Sequence, residues 1–153
     1  MSFFENTRKP VGLGGKIMVA MMNFGHSAMA EWGLSFLQHA PDAMVLDCGC
    51  GGGANIKTLL KLCHKGKVHG IDYSAVSVEK ARKVNARAIA AGRCTVQQAS
   101  VAELPFEAEQ FDVVTAFETV YFWPELAQNF REVYRVLKPG GVFFICNEAN
   151  GET

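Results

Sequence analysis

Asp47-Cys48-Gly49-Cys50-Gly51-Gly52-Gly53 is the stretch of this sequence that decides the fold. It follows the apolar run Ala43–Leu46, which predicts a buried strand, and it precedes a helical pattern over Asn55–Cys63. Four glycines within five positions are costly in backbone entropy, so they indicate a sharp turn that a ligand approaches closely. A strand, a glycine turn and a helix in this order predict a nucleotide-like ligand.

The acid before the turn separates two classes of ligand. Gly49, Gly51 and Ala54 fit the G-x-G-x-x-G/A pattern of dinucleotide-binding folds. Asp47, however, places a negative charge where a pyrophosphate would bind at the helix N-terminus, and the two would repel each other. A ligand with positive charge suits this acid better. S-adenosylmethionine has a nucleoside, an ammonium, a carboxylate and a sulfonium, and it has no phosphate.

An acid followed by G-x-G-x-G resembles the first motif of the class I S-adenosylmethionine-dependent methyltransferases, and Asp47–Gly53 matches it at each required position. The resemblance, to small-molecule members of the methyltransferase type 11 kind, covers about Ala43–Asn147. It implies an α/β fold, a Rossmann-like doubly wound sheet of strand order 3-2-1-4-5, and S-adenosylmethionine as cofactor. Family members normally add strands 6 and 7. Since the sequence stops at Thr153, we expect those strands to be absent, and either the chain is a fragment of a longer protein or another chain completes the sheet.

The rest of the chain alternates β-rich runs with helical patterns, which predicts a parallel sheet covered by helices. The predicted strands are Lys67–Ile71, Cys94–Gln98, Phe111–Ala116 and Val142–Cys146, the last of them buried on both faces. The predicted helices run from an N-cap at Ser74 to about Ala91 and over Pro124–Leu137, with a break at Lys138–Gly141.

The first forty residues predict two further helices, Lys16–Met22 and Ser27–Leu37. This stretch resembles the lid that precedes the first motif in many small-molecule members of the family. We therefore expect a single methyltransferase domain over residues 1–153, with an N-terminal helical lid at 1–40 and a cofactor-binding core at 41–153.

Composition narrows the class of protein. The 153 residues, 49% of them hydrophobic, suffice for one domain with a sizeable core. Fifteen basic residues balance fifteen acidic ones, so we expect a small-molecule substrate and no nucleic acid. No run approaches the ~20 apolar residues of a membrane span, and Met1–Pro10 is too polar for a signal peptide, which predicts a cytoplasmic protein. Five cysteines without an export signal predict neither a disulfide framework nor a metal site.

Asp72 directly follows the second predicted strand, nineteen positions after Gly53. An acid at this offset can accept hydrogen bonds from both ribose hydroxyls, although it would also be favourable at a helix N-terminus without any ligand. Tyr73 is placed to lie against the adenine. Ser100-Val101-Ala102 resembles the family's segment after strand three, where an acid usually bonds the adenine amino group. Here Ser100 takes that place, and the backbone of Val101 and Ala102 is expected to help.

An aromatic segment, Phe117–Trp123, follows the fourth predicted strand, where the resemblance places the mouth of the site. Rings beside a sulfonium offer cation–π contact and exclude water. We predict that Phe117 and Tyr121 line the pocket, and we leave Phe122 and Trp123 open between pocket and core. The predicted cofactor-binding residues are Lys16 (toward the cofactor carboxylate), Asp47, Gly49, Cys50, Gly51, Asp72, Tyr73, Ser100, Val101, Ala102 and Phe117.

The reaction implied by the resemblance is in-line transfer of the sulfonium methyl group, in which positioning can supply much of the catalysis. If a base is needed, the candidates are His26, Glu118 and Tyr121. Two alternatives stay open on the residues alone: a nicotinamide-dependent oxidoreductase, and a non-catalytic module that binds the cofactor. A homodimer through the edge of strand five or through the N-terminal helices also stays open.

Overall fold

The computed structural model describes residues 40–147. Its strands are β1 (Met44–Cys48), β2 (Lys67–Asp72), β3 (Cys94–Gln98), β4 (Phe111–Phe117) and β5 (Leu137–Cys146). Its helices are α1 (Ala54–Leu62), α2 (Ala75–Val84), α3 (Ala86–Ala90) and α4 (Leu126–Val136), with a 3-10 turn at Val120–Phe122. Every strand pairing in this part of the chain is parallel, and the order is β3-β2-β1-β4-β5. The predicted α/β doubly wound sheet is confirmed.

Side chains along β1 alternate between the two faces of the sheet, and each face has its own hydrophobic core. Val45 packs on one face with Ile56 of α1, whereas Leu46 packs on the other with Phe111 and Val133. All five side chains are fully or almost fully buried. Because both faces of a parallel sheet are covered by helices, its central strands are apolar on both sides.

The strand order creates a crevice at the carboxyl end of β1. The chain leaves β1 toward β2 on one side, while β4 lies on the other side, so Asp47 pairs in register with Gly70 and with Thr115. Ligands of open α/β sheets bind where the strand order reverses in this way. The carboxyl ends of β1, β2 and β4 are therefore the edge at which a site is expected.

Two predicted elements differ from the structure by more than a residue or two at their ends. The helix expected to run from Ser74 to Ala91 divides at Asn85 into α2 and α3. The predicted break at Lys138–Gly141 lies within β5, because the register advances from Phe111↔Leu137 to Val113↔Val142 and the intervening residues form an irregularity.

The prediction that the fifth strand is buried on both faces was wrong for the described part of the chain. Val142 is 43% exposed and Ile145 is 40% exposed. β5 is the last strand of the described sheet, so its only described partner strand is β4. An apolar sequence therefore indicated a parallel strand correctly but did not reveal that it lies at an edge.

All five cysteines are buried and unbridged. They are Cys48, Cys50, Cys63, Cys94 and Cys146. Burial raises the pKa of each thiol, so each behaves as a small apolar core residue.

Candidate cofactor site

The glycine turn is held against the end of β2 by three successive backbone N–H groups. Those of Gly49 and Cys50 both donate to the carbonyl of Ile71, at 2.8 and 2.9 Å. The N–H of Gly51 donates to Oδ2 of Asp72 at 2.9 Å. Since these donors are engaged within the protein, they do not form the open cradle that a pyrophosphate requires.

The turn depends on glycine at alternate positions. Gly49, Gly51 and Gly53 have φ values of +72°, +54° and +89°, in the region that side-chain-bearing residues rarely adopt. At Gly49, a Cβ would meet the side chain of Thr119. These φ values explain why all three glycines of the G-x-G-x-G motif are required.

Asp72 uses both carboxylate oxygens to organise the turn. Oδ2 accepts from Gly51, and Oδ1 accepts from the N–H of Ser74 at 2.8 Å. Burial raises the pKa of this carboxyl, and the two N–H donors oppose that rise. Each oxygen keeps a further lone pair for a ligand hydroxyl.

Asp47 is a buried acid with one satisfied and one unsatisfied oxygen. Its Oδ1 accepts a 2.7 Å hydrogen bond from the Thr115 hydroxyl, while Oδ2 is buried with no hydrogen-bond partner among residues 40–147. Burial raises the pKa of Asp47 to about 7, with the Thr115 bond lowering it and the neighbouring Asp72 raising it further. No described Lys, Arg or His forms an ion pair with either acid.

Three residues that support the site were not predicted from the sequence. Thr115 fixes Asp47, and Thr119 donates from its hydroxyl to the carbonyl of Cys48 at 3.2 Å. Asn85 donates from Nδ2 to the carbonyls of Gly53 and Ala81, each at 3.0 Å. A polar residue inside the apolar run Phe111–Phe117 was the available signal for Thr115.

The adenine side of the predicted site lies after β2 and β3. The carbonyl of Tyr73 accepts from Gln98, and the side chain of Tyr73 is 58% exposed. Ser100 accepts at Oγ from the N–H of Ala102, at 3.1 Å. The predicted residues at this end of β3 therefore form a compact turn whose Ala102 N–H is already bonded.

The segment after β4 divides between core and surface. Phe117 is buried beside Phe144, with ring centroids 6.0 Å apart, whereas Tyr121 is 54% exposed. Glu118 has a left-handed backbone (φ +53°), and its N–H donates to the carbonyl of Cys146. Trp123 stacks on Phe143 at 6.2 Å and 7°, so it packs against the core. Lys16 and His26 lie outside the described residues.

The polar groups present fit S-adenosylmethionine. Asp47 offers a buried, unpartnered carboxylate oxygen to a cationic group, and Asp72 offers oxygens at the distance along the chain that suits a ribose. Both acids lie at the switch point of a parallel sheet. The fold and this pair of acids around a glycine turn define the class I S-adenosylmethionine-dependent methyltransferase type of domain.

Comparison with known proteins gives the same result. Residues 46–145 match the family model described as "Methyltransferase domain". The chain belongs to this family. A solved S-adenosylmethionine-dependent methyltransferase from Aquifex aeolicus shares the fold, with a TM-score of 0.77 at 21% identity over 90% of this chain and 77% of that one.

Curated relatives match over the same core. The chain is 35% identical over 109 residues to a botryococcene C-methyltransferase of Botryococcus braunii, covering 71% of this chain and 28% of the relative. It is 35% identical over 108 residues to 24-methylenesterol C-methyltransferase 2 of Oryza sativa subsp. japonica, covering 70% and 29%. The chain thus spans less than a third of the length of these relatives.

Proposed function

We propose that this chain binds S-adenosylmethionine at the carboxyl edge of its sheet and transfers the methyl group to a small-molecule acceptor. The observation that carries the proposal is the pair of acids around the glycine turn. Asp72 braces Gly51, and Asp47 keeps a buried oxygen without a partner among the described residues. The family match favours this cofactor over a nicotinamide.

In this proposal the two acids bind different parts of the cofactor. Asp72 accepts hydrogen bonds from the ribose hydroxyls with the lone pairs that Gly51 and Ser74 leave available. Asp47 attracts the ammonium group by charge. Gly49 and Cys50 let the cofactor approach the turn, and Lys16 pairs with its carboxylate.

In this proposal the adenine would be held by exposed groups at the ends of β2 and β3. The half-exposed ring of Tyr73 would cover one face of the base. The Ala102 N–H is already bonded to Ser100. We therefore assign hydrogen bonding with the edge of the adenine to the N–H of Val101 and the Ser100 hydroxyl. Phe117 stays a proposed member of the site through its position at the end of β4.

The bound cofactor supplies an electrophilic methyl group, and the chain supplies its alignment. Thr119 bonds the Cys48 carbonyl beside the turn, and with the segment that follows it would hold the reacting groups in line and exclude water. His26, Glu118 and Tyr121 remain the candidate bases.

We propose an apolar acceptor of the isoprenoid kind. The relatives are named for C-methylation of botryococcene and of a sterol, which favours this class. The exposed ring of Tyr121 beyond β4 offers an apolar contact. A single domain with its lid at residues 1–40, a cytoplasmic location and self-association through β5 or the N-terminal helices are retained as parts of the proposal. Among residues 40–147, no helix is both long and apolar enough to cross a membrane.

Isothermal titration of the chain with S-adenosylmethionine, S-adenosylhomocysteine and NAD tests the cofactor. We expect heats of binding with the first two and none with NAD. Incubation with methyl-labelled cofactor and a panel of isoprenoid alkenes then tests transfer. Binding of NAD alone would overturn the proposal, and cofactor binding without transfer to any acceptor would leave a binding module.

A further inference from the structure

The two carboxylate oxygens of the buried Asp47 have different surroundings. Oδ1 is fixed by the Thr115 hydroxyl at 2.7 Å, and Thr115 is itself completely buried on β4. Oδ2 is equally enclosed, yet it has no hydrogen-bond partner among the described residues. A buried charged oxygen without a partner is costly, so without a ligand this acid is most stable in its neutral form.

The groups around Asp47 also favour its neutral form. The described titratable groups that interact with it are the Asp72 carboxyl and the thiols of Cys48 and Cys50. Burial raises the pKa of both thiols well above its usual value, so they stay neutral near pH 7. Asp72 is therefore the charged neighbour, and its negative charge opposes ionisation of Asp47.

A bound cation would instead favour the ionised form of Asp47. The cofactor's ammonium group beside Oδ2 would supply both the missing hydrogen-bond donor and the missing positive charge. We propose that Asp47, positioned by Thr115, gives up a proton to solvent as it binds the ammonium group of S-adenosylmethionine. This inference rests on the proposed cofactor and deepens it.

The atoms and charges balance in this step. The carboxyl group of Asp47 loses its proton and becomes a carboxylate, and the ammonium group keeps all of its protons. One positive and one negative charge then meet in the site, and one proton appears in the buffer. Cofactor binding is consequently linked to pH, and Thr115 sets the pH range through the hydrogen bond that lowers the pKa of Asp47.

The proposal predicts a proton count that calorimetry measures. With a pKa of about 7, about nine in ten Asp47 carboxyls are protonated at pH 6. The α-ammonium of the cofactor is almost wholly protonated at that pH already. Titration of the full chain with S-adenosylmethionine at pH 6, in buffers of different ionisation enthalpy, should therefore show release of nearly one proton. Below pH 6, the dissociation constant should fall about tenfold for each unit rise in pH.

Three variants separate positioning from general loss of structure. Asp47→Asn should release no proton and should bind with little dependence on pH. Thr115→Val should shift the midpoint of the pH dependence upward, because the bond that favours the charged form is lost. Thr115→Ser keeps the hydroxyl and should restore the wild-type midpoint. Circular dichroism checks that each variant is folded.

The outcomes are distinct. Binding of the cofactor with an enthalpy independent of the buffer at pH 6 would overturn the proton linkage while leaving the proposed function in place. An unchanged proton count in Asp47→Asn would assign the proton to another group and also overturn it. Absence of binding by the folded wild-type chain at every pH would overturn the linkage together with the proposed cofactor.

Discussion

Oδ2 of Asp72 accepts a 2.9 Å hydrogen bond from the backbone N–H of Gly51, so the end of β2 directly fixes the middle of the glycine turn. The same carboxylate also accepts from Ser74 at the start of α2. The Asp72 side chain thus joins the carboxyl ends of β1 and β2 to the start of α2. A ligand bound there would meet a carboxylate whose orientation is already set.

Replacement of Asp72 tests this arrangement. We expect Asp72→Ala to weaken binding of S-adenosylmethionine by roughly 1.5 to 3 kcal/mol, since hydrogen bonds to a charged group are lost. Isothermal titration measures the change. Asp42→Ala, an exposed acid before β1, is the matched control and should bind normally. Equal affinity of Asp72→Ala and wild type would remove the ribose assignment.

Gly49 provides a test of the turn's geometry. Gly49→Ala would require a left-handed backbone at a non-glycine residue and would also drive its Cβ into Thr119. Gly92→Ala is the control, because Gly92 has a similar φ of +75° and no atom within 4 Å of the added Cβ. Urea unfolding should show a loss of about 1 kcal/mol for Gly92→Ala and a clearly larger loss for Gly49→Ala. Similar losses of stability in the two variants would show that the Thr119 side chain moves aside at little cost.

The two buried acids predict how stability depends on pH. Asp47 has a pKa of about 7 in the folded chain and an ordinary value of 3.8, so between these values the folded state holds the extra proton. The free energy of unfolding should therefore fall as pH rises from about 4 to about 7. Asp72, whose pKa is also raised, adds a change of the same sign. Urea unfolding of the cofactor-free chain across this range measures the slope.

Asp47→Asn is the control for that slope, because it removes the titrating group and keeps the shape. The decline in stability between pH 5 and pH 7 should become markedly shallower in this variant. Parallel curves for variant and wild type would assign the pH dependence to other groups.

Asn85 is predicted to stabilise the turn from the opposite side. Asn85→Ala removes the donor to the carbonyls of Gly53 and Ala81, both of which then lose a buried hydrogen bond. We expect a loss of about 1 to 3 kcal/mol in the free energy of unfolding. Gln128→Ala, which removes an exposed 3.4 Å bond to the Ala102 carbonyl, should cost much less in the same urea experiment. Equal costs would contradict the role given to Asn85.

The sequence predicted the sheet because its signals are local. Apolar runs, the glycine turn after Asp47 and the acid at Asp72 each occupy a few consecutive residues, and in the structure the turn follows β1 while Asp72 ends β2. The strand order came from the family resemblance, which the structure and the family match bear out.

The parts that were not predicted depend on contacts between distant residues. The helix divides at Asn85, whose side chain bonds Gly53, 32 positions away. Thr115 meets Asp47 across 68 positions. Likewise, Lys138–Gly141 lies within β5 because the pairing of β5 with β4 contains an irregularity there. Periodicity along the chain carries no information about such pairs.

The burial of all five thiols gives the chain a set of built-in reporters of local opening. A thiol reagent reacts only with an exposed thiolate, so alkylation at each cysteine requires the segment around it to open first. Cys50 lies within the glycine turn, whereas Cys63 follows α1 and Cys94 begins β3. The order in which a small alkylating reagent modifies them, read by mass spectrometry of peptides, would rank these regions by how readily they open.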